Sequence, residues 1–475
     1  MNHQILSDIP NEDKGRYLRS IGGFRRRFSL IACCAGALLC AQGAGAETLI
    51  DALGRAYLGN PALQAERAKL RSVDEQVPQA LAGMRPSISA TATALKERVV
   101  DHTAQAAYGL NTRTAGIEIT QPLYRGGRIQ SGISGAQNRM LAQRAALLSA
   151  EQSTLLSAAT AYMDVARDQL NLELINNYQK VLKNRYEIEK RRLVIGENTK
   201  TDVSQAEARL AQAMSDRLQA EASLRASSSD YVRITGVEPG TLANPEITLD
   251  LPGALDDVME AARLNNPDVV SAQYAELSSR NDVEAVDGEL LPTVDAVGNV
   301  SRSWNTSTTQ NVLDSASLQL RVTVPIDNGS VSARARGARQ TANQMMLQVE
   351  NAQRTAVDKA VKSWNYLMAT RAQIRAREAM IRSINETLKS LRTEVNIGSR
   401  TVTDLLNSEQ EALSGRLELL AAKHDEVVWA LTLLAATGRL SAQSLKLPVG
   451  YYDYEAHYQR VRGKIWGVSL VGDSK

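Results

Sequence analysis

The sequence predicts an internally duplicated α+β membrane protein, with long coiled-coil helices joined to four transmembrane β-strands per chain. Three observations point there. Six short markers recur in one order at nearly one offset. Two proline-free spans, each exceeding 110 residues, repeat apolar side chains every seven positions. Segments of about 10–12 residues between them alternate apolar and polar side chains, the period of a half-buried strand.

Asn60-Pro61 returns as Asn266-Pro267, and Arg85-Pro86-Ser87 as Leu291-Pro292-Thr293, both 206 positions on. Gln121-Pro122-Leu123 returns as Val324-Pro325-Ile326, 203 on. Three more markers return 202 on: Val194-Ile195-Gly196 as Asn396-Ile397-Gly398, Thr201-Asp202-Val203 as Thr403-Asp404-Leu405, and Ile234-Thr235-Gly236 as Ala436-Thr437-Gly438. A self-repeat this long describes two copies of one unit. The expected organisation is a signal peptide over 1–46, a first repeat over 47–240, a second over 241–440 and a tail over 441–475.

Arg25-Arg26-Arg27, the apolar run Phe28 to Ala41 and Ala44-Gly45-Ala46 have the layout of a secretory signal, with cleavage after Ala46. The stretch before Arg25 is longer than such signals need, which points to a downstream start codon. Two weaker readings are a twin-arginine signal and a lipoprotein box ending at Cys33. Removing 1–46 takes away six of the 55 basic and three of the 52 acidic residues, leaving 49 of each. The formal +3 charge therefore belongs to the signal and argues for no nucleic-acid partner. All three cysteines go with it, so neither disulfides nor cysteine-held metal are expected. Aromatics are only 4% of the chain, so the core must come from Ala, Leu, Val and Ile in long, thin contacts.

A helix interior rejects proline at about 3 kcal/mol, so the spans Pro122 to Pro239 and Pro325 to Pro448 are where long helices can form. Sevenfold seams run through Leu141, Leu148, Leu155 and Tyr162, then Leu174, Val181, Ile188 and Ile195. The second half repeats the pattern from Met346 through Ala360, Leu367, Ile381 and Leu388 to Val395. One helix is predicted over about 128–195, a turn near 196–201 and a return to about 234. The second repeat gives about 330–397, a turn near 398–401 and a return to about 437. Gly196 and Gly398 fit helix C-caps. The return helices are half as long as the outgoing ones, and the helical patterns Thr48 to Ala82 and Ala254 to Leu290 are the right length to cover the remainder. Pro78 is expected to kink or end the first of these.

The predicted hairpins span about 86–124 and 292–326. Ile117 and Ile119 alternate with Glu118 and Thr120, and Leu318, Leu320 and Val322 with Gln319 and Arg321. Polar loops are expected near Asp101 to Asn111 and Asn305 to Asp314, with Tyr108, Tyr124 and Trp304 near strand ends. About ten residues cross a bilayer at barrel tilt. Four strands cannot close a barrel, and open edges are not tolerated in lipid, so several copies must combine. Glu118, Gln319 and Arg321 face a wet lumen in this reading.

Gln121-Pro122-Leu123-Tyr124-Arg125-Gly126-Gly127-Arg128 resembles the strand-to-helix junction of the TolC-type outer-membrane channel proteins. Ile397-Gly398-Ser399-Arg400-Thr401-Val402-Thr403-Asp404-Leu405-Leu406 resembles their periplasmic tip. The resemblance covers roughly 48–440. It implies a homotrimer, with a twelve-stranded barrel in the outer membrane continuous with a periplasmic α-barrel of twelve helices. It also implies a periplasmic adaptor protein and an inner-membrane ABC or other energised transporter as partners. The tail from Tyr452 to Arg462 looks like that of members serving type I protein secretion. Small-molecule efflux is the alternative, and a periplasmic coiled-coil adaptor or scaffold without a barrel is the alternative of another class.

No catalytic constellation, phosphate loop or metal spacing stands out, so neither an enzyme nor a cofactor is expected. The resemblance places a pore constriction at Asp404, with Asn407 where a second acid stands in the family. It assigns gate links to Arg400, Thr201 and Asp202, although Thr201-Asp202 could equally cap a helix. A tyrosine of that set is Val395 here. Gly196 and Gly398 fall where the adaptor docks.

Overall fold

The computed structural model describes residues 47–101, 106–243, 251–305, 311–326, 329–397, 399–465 and 467. The signal over 1–46 and the turn glycine Gly398 lie outside them.

The first repeat opens with three helices, α1 (Leu49–Gly59), α2 (Pro61–Asp74) and α3 (Gln76–Ala82). Strands β1 (Ser87–Asp101) and β2 (Ala106–Arg125) follow, then α4 (Arg128–Val194) and α5 (Lys200–Thr235). The second repeat has α6 (Leu255–Asn265), α7 (Pro267–Asp287), β3 (Thr293–Trp304), β4 (Val312–Thr323), α8 (Gly329–Asn396) and α9 (Val402–Ala436). A short α10 (Ala456–Val461) lies in the tail. At 67 and 68 residues, α4 and α8 are each ~100 Å long.

The covering segments are broken where proline prescribes. Pro61 and Pro267 open α2 and α7, where a missing N–H costs nothing. Pro78 interrupts its segment without ending it: having no N–H to give the Asp74 carbonyl, it sits in the first turn of α3, and the break falls just before it, at Glu75. The two Asn-Pro markers have a role that no local pattern reveals. The Asn60 side-chain oxygen accepts from the amides of Ala62 and Leu63, while its amide donates to the Ile234 carbonyl at 3.2 Å. Asn266 caps α7 and donates to the Ala436 carbonyl at 2.9 Å. Each asparagine thus clasps the end of its own repeat's return helix, joining two repeat markers that lie about 170 positions apart.

The strands form one antiparallel sheet in the order β1-β2-β3-β4. Ile117, opposite Ala90 and Val300, lies on a face that also carries Ala316, Leu318 and Leu320. Glu118, opposite Ser89 and Asn299, lies on the other face with Gln319 and Arg321. Within β2 and outer β3 the residues of the apolar face are the exposed ones, so the sheet is convex on its apolar side. Pro122 sits at a register shift, where a strand can spare a donor. The first hairpin keeps its predicted span, but its strands are longer than predicted, at 15 and 20 residues, so that Asp101 and Ala106 to Asn111, expected in a polar loop, lie in strand. Its outer portion loses alternation but keeps its backbone ladder, since beyond the apolar band neither face needs to be oily.

α4 packs against α5, α7 and α9, and α8 against α6, α7 and α9. The largest core gathers Leu53, Tyr57, Leu70 and Tyr231, the last at the end of α5, around Leu155 and Tyr162 near the midpoint of α4. The first seam supplies Leu155 and Tyr162 to it. The second seam is corrected: Val181, Ile188 and Ile195 are exposed, and Ile175, Tyr178 and Leu182 are buried instead. Within the chain, α5 and α9 cover one stripe of α4, and the predicted stripe beside it stays bare. Ala206, Ala213 and Ala220, seven apart, are buried on α5 and let it approach α4 closely.

Candidate functional site at the helical tip

Both tips are built alike. α4 ends on Gly196 at φ +80°, a left-handed conformation glycine adopts without a Cβ penalty. The Glu197 amide then donates back to the Arg192 carbonyl at 3.0 Å, closing the helix end. In the second tip the Ser399 amide donates to the Glu394 carbonyl at 2.9 Å. α5 and α9 each start with a capping box. Thr199 and Thr401 are the caps, and Asp202 and Asp404 are the third helical residues that bond back. The expected capping role of Thr201-Asp202 is therefore shared differently: Thr199 caps, Asp202 reciprocates, and Thr201 has no part in it.

Asp404 is held below the usual carboxylate range, first by the Thr401 hydroxyl and then by the Thr401 amide. It is fully ionised at neutral pH. Arg400 lies 3.4 Å from Glu394 and Asp202 bonds to Thr199, so one chain does not bring the two proposed gate residues together. Asn407 accepts from Arg209 at 3.0 Å, and Thr403 donates to Gln205 at 2.7 Å. These two bonds join α5 to α9 one and two turns above the tip. Gln205, Arg209 and Thr403 were not singled out from the sequence, because polar residues on a helix face carry no partner information.

Further up, Tyr178 donates to Gln410 at 2.9 Å, and burial together with Glu409 pushes its hydroxyl up to about 12. His424 of α9 lies 3.1 Å from Asp164 of α4 and 2.9 Å from Asp425, with Arg167 pairing Asp164 and Asp168 alongside. Burial alone would lower the imidazole pKa, but the Asp164 and Asp425 carboxylates outweigh it and the pKa is raised. The stabilisation is complete below the ordinary value of about 6.5 and is lost as pH rises through the raised one. Hydrogen exchange near 424 should therefore speed up across that window, and His424→Gln should remove the dependence. Among the described residues no group of His, Cys, Asp and Glu could hold a metal ion. No described helix is long and apolar enough to cross a membrane.

Residues 52–237 and 258–439 match the family described as "Outer membrane efflux protein". The chain belongs to this family. The outer membrane efflux proteins are outer-membrane channels with a periplasmic helical extension, and the two matched segments correspond to the two repeats. The chain is 30% identical over 435 residues to the outer membrane efflux protein BepC of Brucella suis, covering 91% of this chain and 94% of BepC. It is 25% identical to the proteases secretion protein PrtF of Dickeya chrysanthemi, covering 85% and 90%. The CmeC outer membrane channel of Campylobacter jejuni superposes with a TM-score of 0.76 at 14% identity, covering 87% and 89%, a likeness of fold. Helical tips, long helix pairs and a small sheet are thus the parts of an exit duct through the outer membrane.

Proposed function

We propose that three copies of this chain close into one duct that passively releases cargo delivered by a periplasmic adaptor and an energised inner-membrane transporter. The sheet carries this reading. Its convex face is apolar and exposed, its concave face is polar, and among the described residues β1 and β4 have no second partner. An unpaired edge in lipid leaves several backbone groups unsatisfied. Joining β4 of one copy to β1 of the next removes every edge, and three copies supply twelve strands. The bare stripe of α4 at Val181 and Ile188 supports the same arrangement, because heptad-spaced apolar residues need a partner helix. A scaffold without a barrel has no use for such a sheet.

In this reading the repeats 47–240 and 241–440 are the structural units, and the tips are the periplasmic mouth. Asp404, one from each copy, forms the acidic constriction. Asn407 makes it less negative than two acidic rings would be. Arg400 links to Thr201 and Asp202 of a neighbouring copy, and the turns at Gly196 and Gly398 receive the adaptor. Asp404→Ala should raise single-channel conductance in planar bilayers at least twofold and weaken cation preference. Thr401→Ala disturbs the same cap without removing charge and should leave the preference unchanged. Equal conductance and selectivity in Asp404→Ala and the parent would remove Asp404 from the constriction.

Type I protein secretion is the cargo class we favour, supported by the tail and by the secretion role in the name of PrtF. The tail packs firmly: Tyr454 donates to Glu151 at 2.9 Å, and the Tyr452 amide donates to the Tyr57 hydroxyl at 2.9 Å. The name of BepC favours efflux. A deletion strain separates them: loss of one large polypeptide from the medium supports secretion, whereas intact secretion with raised dye retention supports efflux.

A further inference from the structure

The register of the sheet sorts its cations in a way that conduction does not require. On the convex face, paired rows from Val294 and Val322 up to Ala92 contain a single charged pair, Arg302 with Asp314. Arg302 makes two bonds to Asp314, at 2.6 and 2.7 Å. Arg113 stands opposite Ala94 and Trp304, and Lys96 and Arg98 follow one and two rows further out. Glu97 alternates onto the other face. The outer end of this face therefore carries four cations against one acid, all exposed.

Their height is set by strand geometry. Rows two residues apart are ~7 Å apart along a strand and climb roughly 5 Å each at barrel tilt. Arg302 then stands ~20 Å above Val294, Arg113 ~25 Å and Lys96 ~30 Å. A barrel's apolar band is about 25 Å tall and bordered by aromatic rings. Tyr124, opposite Val294, and Trp304 lie on this face at its two borders. The cations without an acid opposite, from Arg113 outward, thus begin where the apolar band ends, at the end away from the helices.

We infer that Lys96, Arg98 and Arg113 form a binding site for the phosphate groups of anionic outer-leaflet lipids, whose acyl chains lie on the apolar band below. This rests on the closed, membrane-spanning assembly proposed above. The occupant must satisfy two surfaces at once. A free phosphate would meet the cations but leave the adjoining apolar rows and Trp304 uncovered, and a neutral lipid would do the reverse.

The test uses the full-length protein purified in neutral detergent, with lipid occupancy read by native mass spectrometry. The probes are bis-phosphorylated lipid A, its dephosphorylated form and inorganic phosphate. The parent should prefer the phosphorylated lipid, and Lys96→Ala/Arg98→Ala/Arg113→Ala should lose at least tenfold of that binding, since each cation contributes roughly fivefold. The dephosphorylated lipid should bind both proteins alike. A charge-preserving Lys96→Arg/Arg98→Lys/Arg113→Lys variant should bind as the parent does. Equal retention of the phosphorylated lipid by parent and alanine variant overturns the inference, as does complete displacement by inorganic phosphate at matching concentration. Heat-modifiable migration and conductance are measured on the same samples. Their absence in the parent overturns the duct and the lipid site together, whereas their presence with no lipid preference overturns the lipid site alone.

Discussion

Leu318→Arg is expected to abolish the assembled, membrane-inserted protein, whereas Gln319→Arg one position on leaves assembly intact. The two residues are neighbours in β4 on opposite faces of the sheet. Leu318 is 85% exposed and shares its row with Ile88, Ile119 and Gly298, near the middle of the apolar band. An arginine at the midplane of a barrel costs about 2–4 kcal/mol on the lipid face. In the proposed trimer three copies carry the charge at one level, so the cost recurs around the ring. Gln319 lies on the polar face, opposite Val297, where a new arginine meets water and should only shift ion selectivity. Heat-modifiable migration of membrane fractions reads the first variant, and conductance the second. Normal assembly of Leu318→Arg would mean that the exposed apolar face does not meet hydrocarbon.

Gly126→Ala should be nearly as damaging, for a reason located where strand becomes helix. Gly126 has φ +63°, a conformation that costs an L-residue about 1–2 kcal/mol. A Cβ there would also stand 2.2 Å from the Gly288 carbonyl oxygen and 2.9 Å from the Leu291 side chain. Gly288 faces the same constraint, since its Cβ would fall 2.3 Å from the Gly126 carbonyl oxygen. The two glycines hold the backbones of the repeats against each other directly beneath the sheet. Backbone cannot yield as a flexible side chain can, so the junction must open. Gly126→Ala should lower assembled protein by tenfold or more. Gly127→Ala, also at positive φ but with open space around its Cβ, should cost only the conformational term. Equal loss in both variants would assign the effect to backbone strain alone and remove the contact between repeats as its cause.

The candidate site was legible in the sequence only in part. The turn at Gly196 was legible because left-handed turns are written into adjacent residues, whereas Asp404 was named as a constriction through the resemblance and its cap bond to Thr401 came only with the structure. The engagement of Arg400 with Glu394 was not, nor was the bond from Arg209 to Asn407, because a charged residue on a helix reveals its character but not its partner. The His424 cluster was missed for the same reason. Its acids come from α4 and α9, and His424 and Asp164 are 260 positions apart in the chain.

By itself the sequence determined the duplication, the long helices, the capped tips and the two-sided strands. Backbone geometry imposes periods of 3.6 and 2 on any segment that must bury one face, and those periods survive without knowledge of a partner. Only the tertiary structure decided which of two adjacent stripes α4 buries within its own chain, how Asn60 and Asn266 clasp distant helix ends, and that Lys96, Arg98, Arg113 and Arg302 share one border of the sheet. Those outcomes depend on register and on contacts between segments far apart in the chain, where a shift of one residue changes the face and therefore the neighbour.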